Sequence, residues 1–221
     1  MNILFDLDGT LTNSELGITN CIAHALAALG APIPAPAELR RYIGPPLRIG
    51  FGSLLGTADE ALIMRAVTLY RERFSEIGLY ENELYAQAPP TLQRLAAAGH
   101  RLFVATSKPV VYARRIVEHF GLDKYFLRVH GAELSGERSD KAELLAHILA
   151  AEQIDPTQTL MVGDRHHDIT GARANGVTSI AVLWGFGTPD ELGQADHVVA
   201  GWPALLDCVQ GLSKQAPCAP E

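Results

Sequence analysis

The sequence predicts an α/β protein in which a Rossmann-like parallel sheet is interrupted by a small α-helical domain. Short runs of branched apolar residues alternate with longer segments of helical period, a pattern typical of a parallel sheet covered by helices. From about residue 14 to residue 80 this alternation stops, because helical periods continue there without a convincing strand. We therefore expect one α/β core domain and one inserted helical domain.

Each element of the expected core corresponds to a recognisable segment. The predicted strands are residues 3–5, 101–105, 160–162, 179–183 and 197–200. The predicted helices are residues 89–98, 110–120, 141–152 and 169–175. Glycine follows three of these helices, as is common at helix ends: Gly99, Gly121 and Gly176. This order predicts parallel strands joined by helices.

Proline and glycine divide the inserted segment into four predicted helices. They cover residues 14–29, 36–42, 46–55 and 58–78, and the dividing residues are Pro34, the turn Gly44-Pro45-Pro46 and Gly56. We predict a core domain of residues 1–13 and 84–213, an inserted domain of residues 14–83, and a flexible tail of residues 214–221. Two short hinges, near Thr12 and Asn82, would join the domains, and a cleft between domains is a common ligand site.

Composition favours a small-molecule ligand and argues against several other classes of partner. The 221 residues are 48% apolar and 19% charged, and the net charge of −7 would repel a nucleic-acid polymer. The three cysteines, Cys21, Cys208 and Cys218, form no disulfide or metal-binding pattern, and we expect Cys21 to be a small buried apolar residue. No apolar run is long enough to span a membrane and no signal-peptide pattern is visible, so we expect a cytoplasmic protein.

Two carboxylates follow the first predicted strand. Asp6 and Asp8 are two residues apart, and open α/β sheets bind ligands at the carboxyl ends of their strands. Gly9 permits a sharp turn and a close approach of the backbone to a ligand. An ordinary turn is the simpler alternative. An EF-hand loop is a third, but its glycine would be expected at the sixth loop position rather than the fourth.

A second acidic group follows the predicted strand at residues 160–162. Asp164 and Asp168 would meet Asp6 and Asp8 at the same sheet edge, and four clustered carboxylates repel one another strongly unless a cation is present. Oxygen ligands and room for a phosphate select Mg²⁺. The alternative is structural, with Asp164 as a helix N-cap and Asp168 as a solvated acid of the first turn.

Hydroxyl groups and a lysine complete a predicted phosphate site. Thr106 and Ser107 end another strand, and hydroxyls and helix N-terminal amides are good donors to phosphoryl oxygens. Lys141, at the start of a predicted helix, can neutralise a nucleophile and a transferring group. The alternatives are an N-cap role for Ser107, a solvated Lys108 and a surface position for Lys141.

These residues resemble the four ordered motifs of the haloacid-dehalogenase (HAD) superfamily, and the match covers nearly the whole chain. The motifs are Asp6-Leu7-Asp8-Gly9-Thr10, Thr106, Lys141 and Gly163-Asp164 through Asp168. With helices inserted between the first and second motifs, the chain is similar to the subgroup with a C1 helical cap, in the phosphoglycolate-phosphatase-like branch. Further segments resemble bacterial 5'-nucleotidase-like members: residues 10–12, 43–47, 80–82, 105–109 and 184–187.

The resemblance implies a role for each acidic residue. Asp6 would be the nucleophile that forms an aspartyl-phosphate, and Asp8 would be the general acid and base. The Mg²⁺ ion would be held by the Asp6 carboxylate, the Asp8 backbone carbonyl and Asp164. Asp168 would support this site from the outer shell by holding Lys141 or a metal-bound water.

The resemblance also implies how substrate is bound. Thr106 and the Ser107 amide would bind phosphoryl oxygens, and Lys141 would neutralise the transferring group. Arg48, in the inserted helices, is the candidate for the distal group of the substrate, although a solvated or salt-bridged arginine is an equal alternative. Ala142 follows Lys141 where close phosphoglycolate-phosphatase relatives commonly have proline, which makes phosphoglycolate a less secure substrate.

The sequence therefore predicts a Mg²⁺-dependent phosphomonoester hydrolase acting on a small phosphorylated metabolite. A 5'-nucleotidase-like phosphatase is the first choice and a phosphoglycolate phosphatase the second. A phosphomutase and a non-catalytic binding protein of the same fold are further alternatives, and Thr10 stands where phosphomutases commonly have valine. A dehalogenase would need neither Asp8 nor Asp164. A monomer or a small homo-oligomer is expected.

Overall fold

A computed structural model describes residues 1–215, which form a parallel sheet, its covering helices and a helical insert. The strands are β1 (Asn2–Phe5), β2 (Thr12–Asn13), β3 (Glu83–Leu84), β4 (Arg101–Pro109), β5 (Arg128–Ala132), β6 (Thr159–Gly163), β7 (Thr178–Val182) and β8 (His197–Val199). The α-helices are α1 (Glu15–Ala28), α2 (Pro36–Leu39), α3 (Leu47–Leu55), α4 (Glu60–Arg73), α5 (Ala88–Ala97), α6 (Val110–His119), α7 (Lys141–Glu152), α8 (His166–Ala174), α9 (Pro189–Leu192) and α10 (Trp202–Gln215). The predicted α/β fold class is confirmed.

Six strands form one sheet in the order β5-β4-β1-β6-β7-β8, and every neighbouring pair is parallel. The five predicted strands are all present, with ends shifted by one or a few residues. The strand β5 was not predicted, because its sequence Arg-Val-His-Gly-Ala has no continuous apolar run. Because β1 lies between β4 and β6, the carboxyl ends of these three strands are adjacent.

Burial explains why the central strands consist of apolar residues. All four residues of β1 and all five of β6 are buried, as expected for strands with neighbours on both sides and helices on both faces. A cluster that includes Leu4, Phe103, Leu144 and Met161 packs α7 against the sheet. Each such side chain contributes roughly 1.5–3 kcal/mol when fully buried. The central strands therefore lie in a buried apolar core.

The chain divides into two compact units. Among the described residues, one contains Met1–Leu11 and residues 85–215, and the other is Thr12–Leu84. Within the second unit β2 pairs antiparallel with β3, so a short ribbon closes a set of helices. Its last long helix, α4, continues into a π-helical turn at Phe74–Gly78, and α2 continues into a 3-10 turn at Arg40–Tyr42.

The C-terminal prediction needs correction at its start. Helix α10 extends through Gln215, so Lys214 and Gln215 are helical rather than part of a flexible tail. The rest of the predicted tail, residues 216–221, lies outside the described residues. Helix α8 also begins at His166, three residues before its predicted start. Within residues 1–215, the helices are too short or too polar to cross a membrane.

Candidate active site

Polar residues gather where the three central strands end. Asp6 follows β1 directly, and its amide continues the sheet by donating to the Val162 carbonyl at 2.9 Å. Asp164 follows β6, and Thr106 lies within the second half of β4. Asp6, Thr106 and Asp164 are all buried, with exposures of 8%, 2% and 0%. The topology thus brings residues that are far apart in sequence to one edge of the sheet.

Lys141 bridges two of the carboxylates. Its Nζ lies 3.0 Å from Asp6 Oδ1 and 2.7 Å from Asp168 Oδ1, and it also donates to the Ala105 carbonyl at 2.9 Å. Helix α7 begins at Lys141, and the N-cap Asp140 accepts hydrogen bonds from the first turn. The N-cap fixes the start of the helix, so the lysine side chain leaves it at a defined position.

Two glycines provide the space for this bridge. A Cβ atom on Gly171 would lie 2.8 Å from Lys141 Cγ and 3.0 Å from its carbonyl carbon. A Cβ atom on Gly163 would lie 2.2 Å from both Cγ and Oδ2 of Asp168. Neither position tolerates a side chain without displacing a charged residue of the site. Asp168 is further fixed because its Oδ2 accepts the Arg165 amide at 3.1 Å.

Burial and charge oppose each other at this bridge. Burial raises the pKa of Asp6 to about 6, although the Lys141 ammonium acts against that rise, and the carboxylates of Asp168 and Asp8 add to it. Burial also opposes the charge of Lys141, but the carboxylates of Asp168 and Asp6 outweigh it and raise the pKa of the lysine. Lys141 therefore stays charged at neutral pH, and Asp6 is mostly ionised above about pH 6.

Asp164 is held by neutral donors. Thr10 donates its hydroxyl to Oδ1 at 3.0 Å, and the amide of Phe186 donates to Oδ2 at 2.8 Å. Glycines allow the two loops to approach: a Cβ atom would lie 2.2 Å from Asp164 Oδ2 if placed on Gly9, and 2.0 Å from the Asp164 carbonyl oxygen if placed on Gly187. Gly9 also has a φ of +83°, which disfavours other residues.

The acidic residues form a group suited to a cation. One carboxylate oxygen from each of Asp6, Asp164 and Asp168 lies within 4.8 Å of the others. Burial, together with the charges of Asp6 and Asp168, raises the pKa of Asp164 well above its ordinary value, and the hydrogen bonds from Phe186 and Thr10 only partly oppose this. When all three carboxylates are ionised, the single ammonium of Lys141 leaves an excess of negative charge. Hard oxygen donors and this excess fit a divalent cation such as Mg²⁺.

Asp8 pairs with a different lysine. Lys108 Nζ lies 2.9 Å from Asp8 Oδ2, and the two side chains are only 6% and 12% exposed. The other oxygen, Asp8 Oδ1, is fully buried and has no hydrogen-bond partner among residues 1–215. The two carboxylates that follow β1 are thus compensated by two separate lysines.

The geometry matches a known family of hydrolases. A family model described as haloacid dehalogenase-like hydrolase matches residues 3–182. The chain belongs to this family. Because a relative named 5'-nucleotidase, relatives named phosphoglycolate phosphatase and the solved structure of a predicted phosphatase all match over most of the chain, the predicted resemblance and the predicted enzyme class are confirmed.

Individual relatives within the haloacid dehalogenase-like group differ in name. The chain is 48% identical over 211 residues to a 5'-nucleotidase of Pseudomonas aeruginosa, and the match covers 95% of each chain. It is 39% identical to tyrosine-protein kinase PtkA of Mycobacterium bovis, over 93% of this chain and 69% of that protein. A phosphoglycolate phosphatase of Vibrio parahaemolyticus is 29% identical over 94% of this chain and 95% of its own. The crystal structure of a predicted phosphatase from Clostridium acetobutylicum has a TM-score of 0.91 and 34% identity, and the match covers 95% of this chain and 98% of that one.

The structural alternatives for several site residues are wrong in this haloacid dehalogenase-like chain. Lys141 is 4% exposed rather than on the surface, and Lys108 is not solvated. Asp168 is buried, and the N-cap of α8 is Arg165 rather than Asp164. Ser107 belongs to β4, and the N-cap of α6 is Pro109.

Other predicted residues are placed as follows. The Asp8 carboxylate lies outside the group formed by Asp6, Asp164 and Asp168, and it contacts Lys108. The predicted metal contact of Asp8 was its backbone carbonyl, not this carboxylate. Arg48 lies in the helical unit, where its Nη2 is 2.6 Å from Glu60 Oε1 and its side chain is 59% exposed. This agrees with the salt-bridged alternative. Cys21 is buried, as expected.

Sequence reasoning missed the residues that position the acids. The amide of Phe186 leaves no signal in a side-chain pattern, and Lys108 was read only as a surface residue. The glycines around Asp164 and Asp168 gave a weak signal, because Gly163 precedes the acidic motif and Gly187 lies in a glycine-rich segment. Only the folded structure shows which neighbouring side chain occupies the space beside each glycine.

Proposed function

We propose that this phosphatase is a Mg²⁺-dependent hydrolase of nucleoside 5'-monophosphates that uses Asp6 as its nucleophile. The observation that carries the proposal is the position of Asp6: it is buried at the end of β1, held by Lys141 and grouped with two further carboxylates. The choice of nucleotide is supported by the 48% identity to a protein named 5'-nucleotidase.

In the first step, the Asp6 carboxylate attacks phosphorus. A bond forms between an Asp6 oxygen and phosphorus, and the bond from phosphorus to the nucleoside 5'-oxygen breaks. Asp8, protonated at this stage, transfers its proton to the leaving oxygen, so the nucleoside departs as an alcohol. Lys141 holds Asp6 in place during the attack through the 3.0 Å contact to Oδ1.

In the second step, water hydrolyses the aspartyl-phosphate. The Asp8 carboxylate accepts a proton from the water, whose oxygen forms a bond to phosphorus while the bond from phosphorus to Asp6 breaks. Phosphate is released, and both aspartates return to their starting states. No separate base is needed to activate Asp6, because a carboxylate is a nucleophile once it is ionised.

The carboxylates of Asp6 and Asp164 and the backbone carbonyl of Asp8 would hold Mg²⁺, with Asp168 as a supporting acceptor. When bound, the ion supplies positive charge against the carboxylates and the phosphoryl oxygens. The support for this assignment is the excess of buried negative charge around Asp164, whose own donors are neutral.

The chain supplies further donors for the phosphoryl group. Thr106 Oγ1 accepts the Lys108 amide at 3.2 Å, which leaves its own hydroxyl hydrogen for a phosphoryl oxygen. The Ser107 amide is proposed as a second donor. Arg48 is proposed to recognise the part of the substrate distal to the phosphate, in exchange for its contact with Glu60.

The test is phosphate release from a panel of nucleoside 5'-monophosphates, phosphoglycolate, sugar phosphates and pyrophosphate, with and without Mg²⁺. Asp6→Asn protein serves as the blank. The proposal predicts Mg²⁺-dependent release that is fastest with a nucleotide. Fastest release from phosphoglycolate would support the alternative substrate and overturn the nucleotide assignment.

The same panel separates hydrolysis from transfer. Adding a hydroxyl acceptor should leave the yield of free phosphate nearly unchanged if water is the natural acceptor of the phosphoryl group. Quantitative capture of the phosphoryl group by a sugar phosphate or by a tyrosine peptide would instead favour a transferase. Failure to turn over any ester, with or without acceptors, would favour a binding protein.

A further inference from the structure

We propose that Lys108 is a positioning residue for Asp8, and that it selects Oδ1 as the oxygen through which Asp8 donates and accepts protons. The inference rests on the proposed function, in which Asp8 serves as general acid and base. Its content is separate, because it assigns a task to a lysine side chain to which the proposed function gives no role.

The first observation is the asymmetry of the Asp8 carboxylate. Lys108 Nζ lies 2.9 Å from Oδ2, in a contact almost closed to solvent. Oδ1 is also buried, and it has no hydrogen-bond partner among residues 1–215. A buried carboxylate oxygen without a donor is unfavourable, so a small movement that opens Oδ1 to the leaving oxygen of a substrate would give it the partner it lacks while Oδ2 stays on Lys108.

The second observation is the backbone that places Lys108. The pairing between β4 and β5 shifts register between Thr106 and Pro109, and such irregularities redirect a side chain out of the regular alternation. The Lys108 amide donates to Thr106 Oγ1 at 3.2 Å. A Cβ atom on Gly131 would lie 2.6 Å from the Lys108 carbonyl oxygen, so glycine at this position of β5 permits the shift.

The third observation is the division of work between the two buried lysines. Lys141 is fully engaged by Asp6, Asp168 and the Ala105 carbonyl. Lys108 contacts the second acid of the motif instead. Each aspartate after β1 therefore pairs with its own lysine.

The chemical consequence concerns one atom. In the first step, the bond from Asp8 Oδ1 to its proton breaks as the leaving oxygen gains that proton, and the carboxylate that forms stays beside the Lys108 ammonium. In the second step, Oδ1 takes a proton from the attacking water. Without Lys108, the carboxylate can rotate between two orientations, and the acid is no longer held toward the leaving group.

The experiment is a double-mutant cycle measured on two kinds of ester. One is the alkyl phosphate that the panel above identifies as the fastest, and the other is 2,4-dinitrophenyl phosphate, whose leaving group needs no proton. Lys108→Met should lower kcat/KM for the alkyl ester about 10- to 100-fold and for the dinitrophenyl ester less than about 3-fold. In the Asp8→Asn background, the same substitution should change kcat/KM less than about 2-fold.

Control variants separate positioning from simple damage. Lys124→Met changes an exposed lysine of the same unit and should leave both esters unaffected. Lys108→Arg keeps the cation and should retain more alkyl-ester activity than Lys108→Met. Lys108→Gln, which keeps a donor, replaces the methionine variant if thermal unfolding shows that the latter is not folded.

Four results would count against the inference. An equal loss on both esters, or an equal loss with and without Asp8→Asn, would assign Lys108 to direct phosphate binding or to structure and overturn it. Unchanged kcat/KM in Lys108→Met and Lys108→Gln would also overturn it. Wild-type protein that hydrolyses neither ester would overturn the proposed function itself and the inference with it.

Discussion

The two ends of the acidic cluster are stabilised in different ways. At one end, Asp6 faces the ammonium of Lys141, and its pKa rises only to about 6. At the other end, Asp164 accepts hydrogen bonds from the neutral Thr10 hydroxyl and Phe186 amide, and its pKa rises well above the ordinary value. The protein therefore compensates one carboxylate with its own cation and surrounds the other with neutral dipoles.

This difference indicates where a bound cation contributes most. The ammonium of Lys141 favours the ionised form of Asp6, which the proposed nucleophile needs for attack. Neutral donors fix the orientation of Asp164 but supply no positive charge, so stabilisation of its ionised form is left to a metal ion. The comparison predicts opposite responses to substitution at the two ends, and the following experiments test it.

The largest expected effect is the loss of turnover when the nucleophile is removed. Asp6→Asn keeps the size of the side chain and should lower kcat by roughly 10⁴-fold or more, as expected for removal of a nucleophile. Steady-state phosphate release measures this, with thermal unfolding as the control for folding. Turnover within 10-fold of wild type would remove Asp6 from the chemistry.

Metal-free stability should change in opposite directions at the two ends. Lys141→Met leaves two buried carboxylates without their cation and should lower the free energy of unfolding by about 3–5 kcal/mol. Asp164→Asn replaces a buried carboxyl, whose ionisation burial disfavours, with a neutral amide that can donate to the Thr10 hydroxyl, so it should raise the free energy of unfolding at neutral pH. Denaturant unfolding in chelator measures both.

If both variants changed the free energy of unfolding in the same direction, the comparison between the two ends of the cluster would be contradicted. Lys124→Met is the matched control for Lys141→Met, because it removes an exposed lysine and should leave the free energy of unfolding nearly unchanged.

A smaller effect is expected from the donor that orients Asp164. Thr10→Val removes the hydroxyl and should weaken Mg²⁺ binding about 10- to 100-fold, the usual range for supporting partners of metal ligands. Thr10→Ser keeps the hydroxyl and should bind Mg²⁺ nearly as wild type does. Calorimetric titration with Mg²⁺ gives both affinities, and equal affinities for the valine and serine variants would exclude this role.

The smallest expected effect is the change in the free energy of unfolding with pH. Burial raises the pKa of Asp164 above 3.8, so the native metal-free protein keeps a proton that the unfolded chain releases as pH rises past that value. The native state then binds more protons, and wild-type stability falls with rising pH by at most about 1.4 kcal/mol per pH unit. The Asp164→Asn variant has no carboxyl at this position and lacks this pH dependence of stability.

The stabilising effect of Asp164→Asn should therefore be absent near pH 3 and grow as pH increases above about 4. Denaturant unfolding at a series of pH values measures the difference between variant and wild type. A difference that is constant over this range would show that the carboxyl of Asp164 is not held protonated in the metal-free protein.

The strand ends were the part of the site most accessible to sequence reasoning. Apolar runs followed by aspartate identify the ends of β1 and β6, and a parallel sheet places such ends together, so the approach of Asp6 to Asp164 was predictable. Strand β5 was not predictable from periodicity, because its arginine, histidine and glycine interrupt any apolar run and its place in the sheet depends on β4.

The supporting contacts were beyond a linear reading for a physical reason. The burial of Lys108 depends on a register shift between two strands, and Gly131 is needed only because the Lys108 carbonyl passes within 2.6 Å of where a Cβ atom would be. Likewise, Gly171 matters only because Lys141 crosses it. Spacing along the chain contains none of these distances.

The most direct test of the proposed mechanism is to locate the phosphoryl group during turnover. Protein mixed with its fastest substrate and Mg²⁺ is quenched within milliseconds, reduced with borohydride and analysed by peptide mass spectrometry. An aspartyl-phosphate at Asp6 would be converted to homoserine at position 6, and Asp6→Asn protein should give none. Homoserine at another position, or rapid turnover with unmodified Asp6 at every quench time, would contradict the mechanism.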